Sequence, residues 1–387
     1  MTRVTDLYRF EAIQGHLGWD QETIMPAKGA KSRGEILAWL AGQRHSRLID
    51  EEMGELITTL EAGDHDDYFR ANLKEMRRKY DEAVKLPTEF VSEFTKARSE
   101  ALIAWQKARS ESDFSQFAPH LQKLIDLTRQ KIDYLGCEHT PYDVLLDEYE
   151  IGMTVEDYDP LFAGLKSRLV PLLSKIMQSD VVIPRLPEEM TFPADAQEAF
   201  CNKVSKAMGF DFEAGRMDRS THPFCAGLWP DDTRFTTRFD EKDPFSCLYA
   251  VMHESGHGLY EQGLPRDHSF SPVGAAISLG VHESQSRFWE NQIGRTAAFW
   301  HIAMPWFREQ FPDCPDWFPL AHQRSQSIPL FLGRMIVLML PAVVQRVFHS
   351  PIPLASAVFL YPRPSCLGNP WRSQTSAWPH RFALRPA

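Results

Sequence analysis

The segment from Asp243 to Pro265 predicts a helix that carries two histidines on one face. Asp243 supplies an N-cap, Pro244 occupies the first helical position, and Gly263 followed by Pro265 ends the run. Apolar or small residues recur between these ends at helical spacing, namely Phe245, Leu248, Tyr249, Met252, Gly256 and Leu259. This stretch contains the pentapeptide His253-Glu254-Ser255-Gly256-His257. Its histidines are four residues apart, so both imidazoles point the same way.

An HExxH pentapeptide on a helix is typical of a catalytic zinc site. Two neutral imidazoles on one face can bind Zn²⁺, so His253 and His257 are the predicted metal ligands. Glu254 lies between them, where its carboxylate can take a proton from water as the catalytic general base. The alternative is a surface helix with two incidental histidines, which the helical context disfavours.

A zinc site of this kind needs a third protein ligand, and the segment from Ala275 to Arg295 offers one. Its apolar residues, which recur among polar ones as expected for a second helix, are Ile277, Val281, Phe288 and Ile293. Glu283 lies far enough beyond the first helix for a loop and a return helix packed against it, and is the predicted third ligand. Two histidines, one Glu and an open fourth position are a catalytic arrangement. Two alternatives stay open: Glu283 pairs with Arg287 on a solvated face, or Glu290 or Glu261 is the third ligand.

Four short motifs follow one another between His222 and Asn291. They are His222-Pro223-Phe224, Asp232-Thr233-Arg234-Phe235-Thr236, His253 to His257, and His282-Glu283-Ser284-Gln285. In order and at compatible spacing they match the HPF, DxRxT, HExxH and HESQ motifs of one family. The chain therefore resembles the thermostable Taq-type metallocarboxypeptidases, and the likeness extends over residues 5–316.

The resemblance implies a fold and an activity. The fold would be mainly α, a large helical peptidase fold with a long substrate groove, whose HExxH helix packs against the helix that carries the third zinc ligand. The activity would be that of a zinc-dependent metallocarboxypeptidase, with Co²⁺ as a substitute for Zn²⁺, which releases C-terminal amino acids from peptide substrates with broad specificity. Many members of the family are homodimers, so a homodimer is expected.

A carboxypeptidase also needs a cation that binds the terminal carboxylate of its substrate. Arg234 and Arg238 are the candidates in this chain, although the arginine of the family's IRxxAD motif, which this sequence lacks, would be the stronger one. Asp232 is expected to orient a ligand histidine as a hydrogen-bond acceptor, or else to pair with Arg234. His222 is expected to bind the substrate or the oxyanion, or else only to brace the turn at Pro223.

Charge and cysteine usage limit the partners and the compartment. A net charge of -10 argues against a nucleic-acid partner, which would favour a basic face. The first residues lack the apolar stretch of a secretory signal, and no run of apolar residues is long enough to span a membrane. The six cysteines form no CxxC pair, which predicts reduced thiols and a cytoplasmic protein.

Beyond Asp316 the composition changes abruptly. Residues 317–387 contain no Asp, Glu or Lys, but seven Arg and ten Pro, and all 52 acidic residues precede them. This density of proline blocks long helices, and neither the IRxxAD nor the GxxQDxHW motif of the family is present. Common codons for the segment from Arg334 to Met339, read one base earlier, can spell a sequence that resembles the family's AD segment. We therefore interpret residues 1–316 as a C-terminally incomplete helical domain and 317–387 as an aberrant, frameshifted tail; a genuine basic, Pro-rich tail is the alternative.

Two alternatives to an active carboxypeptidase stay open. One is an oligopeptidase or endopeptidase of the same clan, which would be indifferent to a free substrate C-terminus. The other is a truncated, inactive family member, because the helices that the tail replaces would form part of the groove and the core.

Overall fold

The computed structural model describes residues 2–180, 189–315 and 319, and helices dominate this part of the chain. The α-helices are α1 (Thr2–Thr23), α2 (Ala30–Leu48), α3 (Glu51–Glu61), α4 (Asp67–Ala83), α5 (Thr88–Glu111), α6 (Ala118–Leu135), α7 (Pro141–Leu146), α8 (Val155–Met177), α9 (Ala194–Met208), α10 (Pro244–Gln262), α11 (Leu279–Arg287) and α12 (Ala297–Gln310). A π-helical turn, Phe288–Ile293, continues α11. The predicted mainly α fold is confirmed. Among the residues described, no helix is both long and apolar enough to cross a membrane.

Polar caps determine where the two helices of the predicted site begin. The Asp243 carboxylate accepts hydrogen bonds from the backbone N–H groups of Phe245 and Ser246, at 3.0 and 3.2 Å, which satisfies two of the unpaired donors at the start of α10. Ser278 plays the same part at α11, where its hydroxyl accepts from Val281 N at 3.0 Å. The second helix is therefore shorter at its start than the segment from Ala275 that the sequence pattern predicted.

A small sheet lies between α9 and α10 in the chain. Its strands are β1 (Gly215–Arg219), β2 (Cys225–Trp229) and β3 (Asp232–Thr237), in the order β1-β3-β2. β3 pairs in parallel with β1 and antiparallel with β2. Residues 234–239 read Arg-Phe-Thr-Thr-Arg-Phe, a pattern that predicts a short edge strand, but β3 is the central strand of the sheet. Phe235 and Thr236 are fully buried, as expected for a strand with neighbours on both sides.

Helix α10 occupies the middle of the described structure. One side packs against β2 and β3, and other faces contact α9, α11 and the π-helical turn. Phe245, Leu248 and Met252 are buried in a cluster to which α9 and α12 contribute Phe200, Trp300 and Phe307. The helix that carries HExxH is thus held by apolar burial on one side, so the histidines on its other side have a fixed position.

The N-terminal helices form a second layer. α1 packs against α2 and β2, and α2 packs along α5. The boundary predicted at residue 316 and the tail 317–387 lie outside the described residues, except for Pro319.

Candidate metal centre

The two histidines of α10 face the same side of the helix, as their spacing predicts. Their ring centroids are 4.9 Å apart and their planes are nearly perpendicular, at 82°. In the part of the chain that the structure describes, His253, Glu254 and His257 form a group whose possible ligand atoms lie within 4.8 Å of one another. The Glu254 side chain is only 6% exposed.

Glu283 is brought to this group by α11. Its Oε2 lies 3.6 Å from His253 Nε2 and 3.3 Å from His257 Nε2. Its Oε1 accepts from Arg287 Nε at 2.7 Å. The pairing with Arg287 and the approach to the histidines, which the sequence presented as alternatives, therefore occur together, because one carboxylate has two oxygens.

Gly256 allows the two helices to approach this closely. A Cβ atom at this position would lie 2.7 Å from Ser286 Cα and 2.8 Å from the Gln285 carbonyl oxygen. Both are backbone atoms, so they could move away only if the whole of α11 shifted. The glycine inside HExxH thus sets the distance between α10 and α11.

Glu290 lies beside the site and contacts three charged or polar groups. His253 Nδ1 donates to Glu290 Oε2 at 3.1 Å, and Arg287 Nη1 donates to the same oxygen at 2.9 Å. Arg295 Nη2 donates to Oε1 at 3.1 Å. When His253 is neutral, donation from Nδ1 leaves the lone pair of the imidazole on Nε2, the nitrogen that faces Glu283.

Burial and neighbouring charge separate the pKa values of the carboxyl groups. Desolvation by burial raises the pKa of Glu254 to about 7, with further upward contributions from the charges of Glu283 and Glu290. Burial alone would also raise the pKa of Glu283, but the His257 hydrogen bond and the charges of His253 and Arg287 lower it to about 2. The structure therefore contains one carboxylate that stays ionised and one that exchanges a proton near neutrality, which is the pattern of a ligand beside a general base.

The histidines respond to burial in different ways. Burial lowers the pKa of His257, although its hydrogen bond with Glu283 acts in the opposite direction. Burial also favours neutral His253, but the Glu290 hydrogen bond and the nearby carboxylates outweigh it and raise the pKa. His253 Nε2, His257 Nε2 and Glu283 Oε2 converge, and two imidazole nitrogens with one carboxylate oxygen are a donor set that fits a divalent metal ion.

A cavity of about 470 Å³ opens next to this group. His253, Glu254, Arg287, Glu290 and Arg295 line one side of it, and His222, Pro223, Phe245, Ser246 and Tyr249 are among the residues that complete the wall. His222 is exposed, and burial followed by the charges of Arg109 and Arg238 lowers its pKa. His222, predicted either to bind the substrate or the oxyanion or only to brace the turn at Pro223, therefore lies on the wall of this cavity.

The other residues predicted to bind substrate lie elsewhere. Arg234 donates to Asp232 through Nε and Nη2, at 2.7 and 2.9 Å, and its guanidinium lies 4.4 Å from the ring centroid of Trp19. Asp232 also accepts from His16 Nε2 at 2.9 Å. Among the described residues, Asp232 therefore pairs with Arg234, as in the second of its two predicted roles, and does not orient a histidine of HExxH. The carboxylate that accepts from His253 is Glu290. Arg238 is exposed and does not line the cavity.

The sequence pattern gave no indication of Arg295 and suggested a different role for Glu290. Glu290 was a candidate ligand, but the structure places it behind His253. Arg295 reaches it from five residues later in the chain, a spacing that a regular α-helix does not bring together and that a π-helical turn does. Arg287 was identified from its spacing as a partner of Glu283, four residues earlier, and it also contacts Glu290, three residues later.

Comparison with known proteins agrees with these motifs. The family model of carboxypeptidase Taq (M32) metallopeptidases matches residues 1–320. Thermostable carboxypeptidase 1 of Thermus thermophilus is 39% identical over 315 residues, which are 77% of this chain and 61% of the relative. Carboxypeptidase 1 of Bacillus subtilis is 35% identical over 284 residues, 73% of this chain and 57% of the relative. The chain thus spans about three fifths of the length of these curated relatives.

Solved structures resemble the described fold. The BsuCP crystal structure, 32% identical in sequence, superposes with a TM-score of 0.80, and the match covers 84% of this chain and 66% of that one. An M32 carboxypeptidase from Deinococcus radiodurans, 37% identical, gives a TM-score of 0.72 over 81% of this chain and 63% of that one. The chain belongs to the carboxypeptidase Taq (M32) family of metallopeptidases.

Proposed function

We propose that this protein is a zinc-dependent carboxypeptidase that releases C-terminal amino acids from peptides with broad specificity. The observation that carries the proposal is the convergence of His253 Nε2, His257 Nε2 and Glu283 Oε2, with the buried Glu254 carboxyl beside them. Family membership supports the same reaction, since the curated relatives are named carboxypeptidases.

Each residue has a defined part in this proposal. His253, His257 and Glu283 would hold Zn²⁺, or Co²⁺ in its place, which as a Lewis acid polarises the scissile carbonyl and activates water. Glu254 takes the proton from the attacking water and returns it to the leaving amine, which requires a pKa near the working pH. His222, on the wall of the cavity, is placed to donate to the substrate.

Recognition of the terminal carboxylate distinguishes a carboxypeptidase from an endopeptidase of the same clan. Arg234 would have to leave Asp232 before it could bind a substrate carboxylate. Arg238 is exposed near His222, so we propose that it contributes charge at the mouth of the cavity. An arginine in the part of the family fold that follows residue 316 would complete the clamp.

A matched pair of substrates and two variants test the function. In a chain whose reading frame after residue 316 is restored, the unsubstituted protein, His257→Ala and Glu254→Gln are compared for bound zinc and for release of free amino acid from an N-blocked dipeptide, with the C-terminal amide of that dipeptide as control. We expect His257→Ala to lose the metal, and Glu254→Gln to keep it but lose turnover by at least about a hundredfold. Equal cleavage of the amide would favour the endopeptidase, and stoichiometric zinc in His257→Ala would reject the site.

We also propose that residues 317–387 are a frameshifted replacement for native sequence. Support comes from the end of the family match at residue 320 and from the absence of acidic residues beyond Asp316. If so, the chain as written has little carboxypeptidase activity. Sequencing of the gene across codons 310–340 tests the interpretation directly, and an intact reading frame there would overturn it.

The remaining proposals concern the cellular compartment and the oligomeric state of the protein. Five cysteines in the described residues are free thiols, and Cys201 Sγ lies 3.7 Å from Cys247 Sγ without a disulfide, which supports a reducing, cytoplasmic compartment. A homodimer is proposed from the family resemblance and is tested by sedimentation.

A further inference from the structure

His257, the second histidine of HExxH, is linked to the partly buried carboxylate of Glu261 through another histidine. His257 Nδ1 and His282 Nδ1 are 2.5 Å apart, and His282 Nε2 lies 2.6 Å from Glu261 Oε1. The side chains of His282 and Glu261 are only 13% and 14% exposed. His253 has a simpler arrangement, because its Nδ1 donates directly to Glu290.

The direction of the hydrogen bonds from His257 through His282 to Glu261 follows from the chemistry of Glu261. A carboxylate only accepts, so His282 Nε2 must carry the hydrogen that is donated to Glu261. A neutral His282 then has its lone pair on Nδ1, where it can accept from His257 Nδ1. Donation from His257 Nδ1 leaves the lone pair of that ring on Nε2, the nitrogen 3.3 Å from Glu283 Oε2.

The surroundings hold Glu261 in place. Its carboxyl group packs directly over Gly227 of β2, where an added Cβ would lie 2.1 Å from Glu261 Cδ and 2.2 Å from Oε2. The His282 ring is held edge-on by Tyr260, with ring centroids 4.8 Å apart. A carboxylate that is largely removed from water is stabilised by a hydrogen-bonding partner, and His282 is such a partner of Glu261 in the described structure.

We propose that His282 and Glu261 are positioning residues of the metal centre: together they fix the tautomer and orientation of His257 so that Nε2 is presented to the metal. The proposal rests on the proposed function, and gives a role to the first residue of the HESQ motif. Removal of either residue should therefore weaken metal binding, although neither contacts the metal. Histidine ligands generally depend on such partners, whose loss costs about 10- to 100-fold in metal affinity.

Three variants of the full chain test this. His282→Phe keeps a ring but removes the acceptor for His257, Glu261→Gln keeps the shape but removes the charge, and Gly227→Ala displaces the carboxyl by contact alone. Asp267→Asn, the loss of an exposed carboxylate outside the site, is the matched control. The zinc dissociation constant is measured by chelator competition, with circular dichroism as the check on folding. We expect a rise of about 10- to 100-fold for His282→Phe and Glu261→Gln, a smaller rise for Gly227→Ala, and less than about twofold for the control.

A second measurement, the protonation of the histidine ring nitrogens by NMR, does not require bound metal. In metal-free protein with ¹⁵N-labelled histidines, the ring nitrogens of His282 should show a protonated Nε2 and an unprotonated Nδ1. A protonated Nδ1, or unchanged zinc affinity in both His282→Phe and Glu261→Gln, would overturn the proposal. Failure of the wild type to bind zinc would instead reject the proposed function, and the nitrogen spectrum would still decide whether the hydrogen-bonded chain runs in the stated direction.

Discussion

Replacement of Glu254 by Gln should stabilise the metal-free protein at alkaline pH and leave its stability unchanged at acid pH. Burial, followed by the charges of Glu283 and Glu290, raises the pKa of this carboxyl from 4.5 to about 7. The folded state therefore binds the Glu254 proton more tightly than the unfolded state. Between these two pKa values, stability falls as the pH rises, because folding then requires either a proton or a buried charge.

The magnitude follows from the size of this shift. A rise from 4.5 to about 7 makes the folded state about 3 kcal/mol less stable above pH 7 than a chain with an unshifted carboxyl. Gln has the same shape and no charge, so the variant avoids this cost. The advantage should be close to zero below about pH 4.5 and should approach about 3 kcal/mol at about pH 8.

Urea unfolding in the presence of a chelator measures this difference at both pH values. Glu213→Gln, which neutralises an exposed glutamate, serves as control and should change the free energy of unfolding by less than about 0.5 kcal/mol. The reasoning would be refuted if wild type and Glu254→Gln were equally stable at about pH 8. It would fail equally if their difference were the same at both pH values, since loss of the charge could not then be its cause.

Further predictions concern Gly256, the metal ligands and the tail. Gly256→Ala should destabilise the protein by about 1–3 kcal/mol and weaken metal binding, because the added Cβ would meet the backbone of α11. Gly164→Ala is the control: a Cβ there has no atom within 4 Å, so urea unfolding should show a neutral or stabilising effect. Because the pKa of Glu283 is about 2, zinc release on acidification should reflect protonation of the two histidines, with about two protons per metal; a dependence on about one proton would contradict the assignment. Restoration of the suspected reading frame should increase both soluble yield and release of C-terminal amino acids, and full activity of the 387-residue chain would contradict the frameshift.

The sequence predicted what depends on local chemistry and missed what depends on distant parts of the chain. The limits of α10 were correct to about a residue, because Asp243 and Gly263 act on their immediate neighbours. The central position of β3 was missed, since its partner β1 has no clear alternation in its sequence. The bond between Asp232 and His16 joins residues 216 positions apart, so no sequence spacing could reveal it.

The position of Glu283 could be predicted only in part from the sequence. Its place in the HESQ motif suggested a ligand, but the distance to the histidines depends on the contact of Gly256 with the backbone of α11. The same glycine was counted in the sequence only as a small residue in an apolar stripe. The periodicity of a helix gives its faces, whereas the packing of two helices gives the distances between their side chains.

The π-helical turn after α11 has a consequence for how relatives of this protein diverge. A turn of this kind is what a single extra residue produces when it is accommodated in an α-helix, and it rotates every later side chain by about 100°. Deletion of one residue between Phe288 and Ile293 would restore a regular helix and turn Arg295 away from Glu290, while the HExxH helix stayed intact. A one-residue gap at this place in a family alignment would therefore identify members that keep all four motifs but lack the Arg295 hydrogen bond to Glu290. In those members Arg287 alone would orient the carboxylate that accepts from His253.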